Sequence, residues 1–92
     1  MKTDYLIKQI GNEVIDLLLE KNKAYGDTAN QPPKIFSKLS PKEGILARID
    51  DKLSRIKQVG LNDKTEDTML DLIGYLILYR VQCKKENSLN GK

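Results

Sequence analysis

The sequence predicts an all-α protein, a three-helix antiparallel bundle completed by oligomerisation. Apolar residues recur at helical spacing in three segments, and no segment shows the alternation typical of a strand. The third segment is apolar nearly all round, which indicates a central helix covered from several sides. The 92 residues allow one small domain, expected at 1–86 with a frayed polar tail at 87–92. A domain of this size buries little core, so we expect a homo-oligomer.

The first predicted helix begins after Thr3, a plausible N-cap, and ends near Tyr25, because Gly26 supplies a left-handed stop. A long loop follows from Asp27 to Leu39. It contains Pro32-Pro33 and cannot be regular helix. Loops of this length are usually functional or disordered. The apolar stripe of the first helix comprises Ile7, Ile10, Val14, Leu17 and Leu18.

The second predicted helix has the clearest start signal in the chain. Ser40 is an N-cap, Pro41 occupies the first helical position and Glu43 completes a capping box. Gly60 ends the helix. Its apolar stripe comprises Ile45, Ile49, Leu53 and Ile56.

The third predicted helix starts at Asn62 or Asp63, with Glu66 in a second capping box, and runs to about Lys85. Its two apolar sides comprise Met69, Leu70, Ile73, Leu76 and Ile77 on one side, and Gly74, Leu78 and Val81 on the other.

Composition excludes several classes of function. The chain has no His and a single cysteine, Cys83, which excludes Ser-His catalysis, zinc sites with imidazole and internal disulfides. Any metal would be held by carboxylates, which favours Mg²⁺ or Mn²⁺. The start lacks a signal peptide, and the longest apolar stretch, Leu70–Val81, is too short to span a membrane. We therefore expect a cytoplasmic protein without a membrane partner.

Asp71 is the first candidate site residue, because it lies within an apolar helix one turn after Asp67. Two such carboxylates need a compensating cation, proton or basic partner. One interpretation is a divalent metal site, with Glu66 nearby. The alternative is that Asp67 belongs to an exposed first turn while Asp71 pairs with a buried Lys or Arg.

Basic residues on the second helix form another candidate set. Arg48, Lys52 and Arg55 lie along one flank of its apolar stripe, where they could bind phosphates. Asp51 offers an alternative, because it is suitably spaced for an intrahelical ion-pair ladder with Arg48 and Arg55.

The end of the first helix carries the third set. Lys21 and Tyr25 project onto the face of the apolar stripe, so Tyr25 could stack on a base and Lys21 or Asn22 could bind a phosphate. Ordinary helix C-terminal residues are the alternative. Tyr75 lies one turn beyond Asp71 and could line the same pocket as Asp71.

These three segments, in this order, resemble the nucleotide-modification-associated domain of many phage proteins, which is similar to the MazG-like nucleotide pyrophosphohydrolases. The resemblance covers about residues 10–80 and rests on the runs KNKAYGD at 21–27, RIDDKLSR at 48–55 and EDTMLDLIGY at 66–75.

The resemblance implies helical protomers that assemble as dimers or tetramers. It also implies Mg²⁺-dependent cleavage of a nucleoside triphosphate to monophosphate and pyrophosphate, with Asp51, Asp67 and Asp71 as catalytic residues and Glu66 as a further metal ligand. The second helix departs from the family's Glu-Glu-x-x-Glu motif, because Lys52 and Arg55 lie where carboxylates are expected.

Three functions follow as hypotheses. The first is the pyrophosphohydrolase, with phosphates on Lys52 and Arg55. The second is a non-catalytic phage protein that sequesters a linear or cyclic nucleotide signal of host defence, for which the acid-poor second helix argues. The third, a DNA-binding protein, is disfavoured because its recognition helix would begin with an acidic run, Asp63–Asp67.

Overall fold

The computed structural model describes residues 2–25 and 38–89. These residues form three helices, α1 (Thr3–Tyr25), α2 (Pro41–Val59) and α3 (Thr68–Leu89), and no strand occurs among them. The predicted all-α class is confirmed, and α1 extends to Tyr25, the last residue described before the gap. The proposed stop at Gly26 and the loop prediction for residues 27–37 lie outside the described residues.

The start of α2 is set by a capping box, as the sequence predicts. The Ser40 hydroxyl accepts a hydrogen bond from the Glu43 backbone N–H, and the Glu43 carboxylate accepts one from the Ser40 N–H, both at 3.1 Å. Pro41 occupies the first turn, where its missing N–H costs nothing. The helix ends at Gly60, whose φ of 80° lies in the region that glycine adopts without strain. Both ends of α2 are therefore encoded locally.

Removing the N-cap hydroxyl should weaken the fold measurably. We expect Ser40→Ala to lower the free energy of unfolding by about 1 kcal/mol, because one backbone N–H loses its acceptor. Urea titration followed by circular dichroism measures the change. Ser54→Ala, an exposed serine inside the same helix, is the matched control and should have almost no effect. Equal losses in the two variants would contradict a role for the cap.

The start of α3 differs from the prediction, because the helix begins at Thr68 and not at residue 62 or 63. The carboxylate of Asp63 instead accepts hydrogen bonds from the backbone and the hydroxyl of Thr65, at 2.8 and 2.6 Å. This local turn competes with helix formation. Asp67 provides the cap, since its carboxylate accepts from the Leu70 N–H at 3.0 Å. At its other end α3 runs four residues past the predicted Lys85.

Both other helices pack on α3. Lys42 at the start of α2 pairs with Glu86 near the end of α3, whereas Lys52, farther along α2, pairs with Asp71 near the start of α3. The pairs thus follow opposite orders along the two helices. On another side of α3, Leu18 of α1 lies against Gly74. Within the described residues α1 and α2 make no close backbone approach, so α3 links them.

The core of the described part is small. Val14, Ile45 and Ile49 are its buried apolar side chains, and Thr68, the first residue of α3, is fully buried. Leu53, a member of the predicted apolar stripe of α2, is half exposed. Among the described residues α3 is the helix that packs on α2, and it leaves Leu53 partly uncovered. None of the helices in residues 2–25 and 38–89 is long and apolar enough to cross a bilayer.

Candidate functional site: a cluster of ion pairs where the helices meet

The candidate site is centred on Lys52, in the middle of α2. Its ammonium Nζ lies 2.8 Å from Glu66 Oε2 and 3.3 Å from Asp71 Oδ2. The other oxygen of Asp71, Oδ1, lies 3.8 Å from Lys21 Nζ of α1. Glu66 also accepts a hydrogen bond from the Thr68 hydroxyl at 3.2 Å. Side chains of all three helices and of the α2–α3 connection therefore meet around one lysine.

Arg55 extends the cluster by one turn of α2. Its guanidinium donates a hydrogen bond from Nε to Asp63 Oδ2 and another from an Nη atom to the Thr65 hydroxyl at 2.6 Å. Glu66 Oε1 is 3.9 Å from the same guanidinium. The Asp63 side chain is nearly inaccessible to solvent, so its charge is compensated inside the cluster. Asp63 and Thr65 were missed as site residues, although an Asp two residues before a Thr is a signal for a side-chain turn.

These contacts shift the pKa values of the groups that make them. The hydrogen bond from Lys52 lowers the pKa of Glu66, and the hydrogen bond to Glu66 raises the pKa of Lys52. Hydrogen bonds from Arg55, then from Thr65, hold the pKa of Asp63 well below its usual value. Each shift favours the charged form, so the cluster is an assembly of ionised groups at neutral pH.

The lowered pKa values of Asp63 and Glu66 predict acid sensitivity. A carboxylate whose pKa is lower in the folded state than in the unfolded state stabilises the fold. This contribution is fully present above the unfolded-state pKa, which is 4.5 for Glu66. It is lost as the pH falls through the folded-state pKa. We therefore expect the melting temperature to fall steadily below about pH 4.5. Differential scanning calorimetry from pH 7 to pH 2 checks this. In the Glu66→Gln variant the melting temperature should depend less steeply on pH below about 4.5. An unchanged pH dependence in that variant would contradict the contribution assigned to Glu66.

The sequence-predicted residues do not all gather in this cluster. Asp67 is exposed and caps α3, as the alternative interpretation expected. Asp51 and Arg48 are exposed on α2, and in the part of the chain described here neither Arg48 nor Arg55 pairs with Asp51, so the intrahelical ladder is absent. Asp71 pairs with lysines, which is the second interpretation that the sequence allowed.

The remaining predicted contacts lie at the margins. Asn22 is exposed on α1, one residue after Lys21, and Tyr75 is half-buried on α3, one turn after Asp71. The side chain of Tyr25 lies outside the described residues.

The donor set favours phosphate over a divalent metal in this arrangement. Among the residues that the structure describes, no three carboxylate or thiol side chains form a group that could hold a metal ion. Glu66 and Asp71 both bind Lys52, while Asp51 and Asp67 lie apart from them. Lys52 therefore occupies the position between Glu66 and Asp71 that a cation would take. Lys21, Lys52 and Arg55 present the donors that recognise phosphate oxygens.

Comparison with protein-family models, curated proteins and solved structures found no match for this chain.

Proposed function

We propose that this protein binds a nucleotide through its phosphates and does not cleave it. The observation that supports the proposal is the meeting of three distant segments. Lys21, Lys52 and Asp71 come from the three runs that resemble the phage nucleotide-modification-associated domain, and their charged groups lie within 4 Å of a neighbour in one cluster. A cluster drawn from all three runs is what a shared ligand site requires.

The basic side chains supply the phosphate contacts. Arg55 and Lys52 bind carboxylates in the free protein, and a phosphate competes with these because it also offers two oxygens to one guanidinium and carries a greater charge. Arg48 lies one turn before Lys52 on the same flank of α2. It is exposed, and among the described residues it forms no ion pair, so its guanidinium can bind a ligand without breaking an existing contact. Tyr75, Asn22 and Tyr25 are the proposed contacts to the rest of the nucleotide.

A Mg²⁺-dependent pyrophosphohydrolase is the second candidate. It is favoured by one feature, the approach of Glu66 and Asp71 to a single ammonium, which places two carboxylates around one cation position. Binding without cleavage is preferred because Lys52 already fills that position, and because Asp51 and Asp67 do not join it. In either case we propose a cytoplasmic, antiparallel helical bundle spanning residues 1–86, with the protein acting as a homo-oligomer.

One incubation tests the proposal. The purified protein is mixed with a panel of linear and cyclic nucleotides, with and without Mg²⁺ or Mn²⁺, filtered and then denatured by heat. Chromatography identifies the nucleotides in the bound and free fractions. We expect one nucleotide to be retained and released intact, without a requirement for metal. Monophosphate and pyrophosphate would instead establish the hydrolase, and a panel that is neither held nor cut would overturn both candidates.

Arg48→Met tests the location of the site. We expect it to weaken retention about tenfold, the effect of one charge-assisted hydrogen bond, while leaving the melting temperature unchanged. Lys57→Met removes a charge from an exposed position on the same helix and is the matched control. Equal weakening in both variants would indicate a general effect of net charge and would contradict this site.

A further inference from the structure

A buried amide that lacks a hydrogen-bond donor lies near the end of α3. It belongs to Gln82, of which only 7% is exposed. Its Nε2 is 3.5 Å from Glu86 Oε2, at the limit of a hydrogen bond. Its Oε1 is buried and accepts no hydrogen bond from any residue that the structure describes. An unpaired buried acceptor destabilises a fold unless a bound molecule supplies the donor.

Three further side chains form a connected group with this amide. Glu86 Oε1 lies 3.1 Å from Lys42 Nζ, at the start of α2. The same Nζ is 5.6 Å from the centre of the Tyr79 ring, which is within the range of a cation–π interaction. Tyr79, Gln82 and Glu86 are three and four residues apart, so they share one face of α3. We refer to Lys42, Tyr79, Gln82 and Glu86 as the Gln82 cluster.

The α3 side of this cluster offers acceptors to a positively charged donor. A carboxylate, an amide oxygen and the face of an aromatic ring each attract N–H groups that carry positive charge. The ammonium of Lys42 lies among them, and its hydrogen bond to Glu86 raises the pKa of Lys42. The position therefore favours a cation.

A guanidinium group matches these acceptors better than an ammonium does. It is planar and carries five N–H donors, so two of them can bind the Glu86 carboxylate while another donates to Gln82 Oε1. Its flat face also stacks on an aromatic ring such as that of Tyr79. The Lys42 ammonium, by contrast, binds Glu86 and leaves Gln82 Oε1 without a donor.

The existing contacts of the cluster are weak enough to be exchanged. The side chains of Lys42 and Glu86 are 35% and 37% exposed, so a ligand can approach from solvent and Lys42 can turn into water. Ion pairs exposed to this extent contribute little stability. The amide of Gln82 can turn as well, because the hydrogen bond that holds its Nε2 is long.

We propose that the Gln82 cluster binds a guanidinium group, which displaces the Lys42 ammonium, pairs with Glu86, donates to Gln82 Oε1 and stacks on the Tyr79 ring. This site is separate from the candidate nucleotide site, because Lys42 precedes Lys52 by ten residues, or about 15 Å along α2. The proposal does not depend on nucleotide binding.

Nuclear magnetic resonance of the isotope-labelled protein tests the site. Methylguanidinium is the probe, and the side-chain amide signals of Gln82 are identified by their loss in Gln82→Leu. We expect methylguanidinium to shift these signals with roughly millimolar affinity, as a single small group allows. Methylammonium at the same ionic strength should bind about tenfold more weakly. Equal shifts with both probes, or none with methylguanidinium, would overturn the proposal.

A second probe identifies the source of the group. N-acetylarginine amide carries the guanidinium on a peptide backbone. Tighter binding than that of methylguanidinium would assign the site to an arginine of a partner protein, whereas equal or weaker binding would assign it to a free guanidinium compound. Either result supports the site.

Two variants locate the binding. Lys42→Ala removes the competing ammonium and should tighten the binding of methylguanidinium about tenfold, whereas Glu86→Gln should weaken it about tenfold. Lys57→Ala removes an exposed positive charge from the same helix and is the matched control, with an expected change of less than about twofold. Equal tightening in Lys42→Ala and Lys57→Ala would indicate an effect of net charge and would overturn the placement.

Gln82→Leu tests the unpaired acceptor in the free protein. The melting temperature should stay the same or rise, because an apolar side chain of similar size replaces a buried oxygen without a donor. The same variant should bind methylguanidinium about tenfold more weakly. A lower melting temperature together with unchanged binding would show that the amide serves the fold and would overturn its role in the site.

Discussion

Gly74→Val should lower the free energy of unfolding by about 2 kcal/mol, the largest loss expected from a single added side chain in this protein. A Cβ at position 74 would lie 3.1 Å from Leu18 Cδ2 and 3.8 Å from Leu18 Cγ. These distances leave no room for the further methyl groups of valine. Since Leu18 is one of the residues that attach α1 to α3, we expect α1 to detach before the α2–α3 pair unfolds.

Two variants separate this packing effect from helix propensity. Gly11 is also inside a helix, but a Cβ added there meets nothing within 4 Å, so Gly11→Val should be neutral or slightly stabilising. Leu18→Ala combined with Gly74→Val should recover part of the loss, because the smaller side chain vacates the space. Urea titration of the unaltered chain, Leu18→Ala, Gly74→Val and the double variant measures the coupling. Simple additivity of the two changes would contradict a direct contact between α1 and α3 at this point.

Lys52→Met should give the second large effect. Methionine keeps an apolar stem of similar length and removes the ammonium that lies between Glu66 and Asp71. The two carboxylates then face each other while partly shielded from water, which costs about 1–2 kcal/mol after allowance for solvent screening. We expect the loss to shrink near pH 4, where protonation of Glu66 relieves the repulsion.

Arg48→Met is the matched control for this prediction. It removes one positive charge from the same helix at an exposed position, so its effect on stability should stay within about 0.5 kcal/mol. Lys52→Met combined with Asp71→Asn should be more stable than Lys52→Met alone, because one of the two facing charges is gone. Thermal melts at pH 7 and pH 4 test both expectations. A loss from Lys52→Met that is the same at both values of pH would indicate lost packing and not lost charge compensation.

The two helix starts show how far local sequence predicts this fold. The predicted start of α2 is confirmed. Ser40 and Glu43 accept hydrogen bonds from each other's backbone N–H groups, so no other part of the chain is needed to begin the helix. The prediction for the start of α3 was wrong because Asp63, which was expected to begin the helix, binds Arg55 of α2, eight residues earlier in the chain. A contact between separate elements thus decides which acidic residue caps α3, and Asp67 takes that role.

In the candidate site, too, the sequence predicts some features and contacts between the helices decide the others. Asp71 stands out in the sequence because it lies within an apolar helix, and Lys52 and Arg55 because they border the apolar stripe of α2; a charged group that is partly buried needs a partner. Which partner each takes does not follow from spacing. The i,i+4 spacing of Asp51 and Arg55 predicted an ion pair along α2. Arg55 instead binds Asp63 and Thr65, whose side-chain oxygens lie within hydrogen-bond distance of its guanidinium.

The sequence by itself determined the helical class and both ends of α2, because periodicity and caps act within one or two helical turns. The tertiary structure alone decided that Lys21 and Lys52 share Asp71, that Leu18 lies against Gly74, and that Leu53 remains exposed. These outcomes depend on how the helices approach one another. A helix presents several faces of similar apolar character, and only packing against neighbours selects which of them is buried.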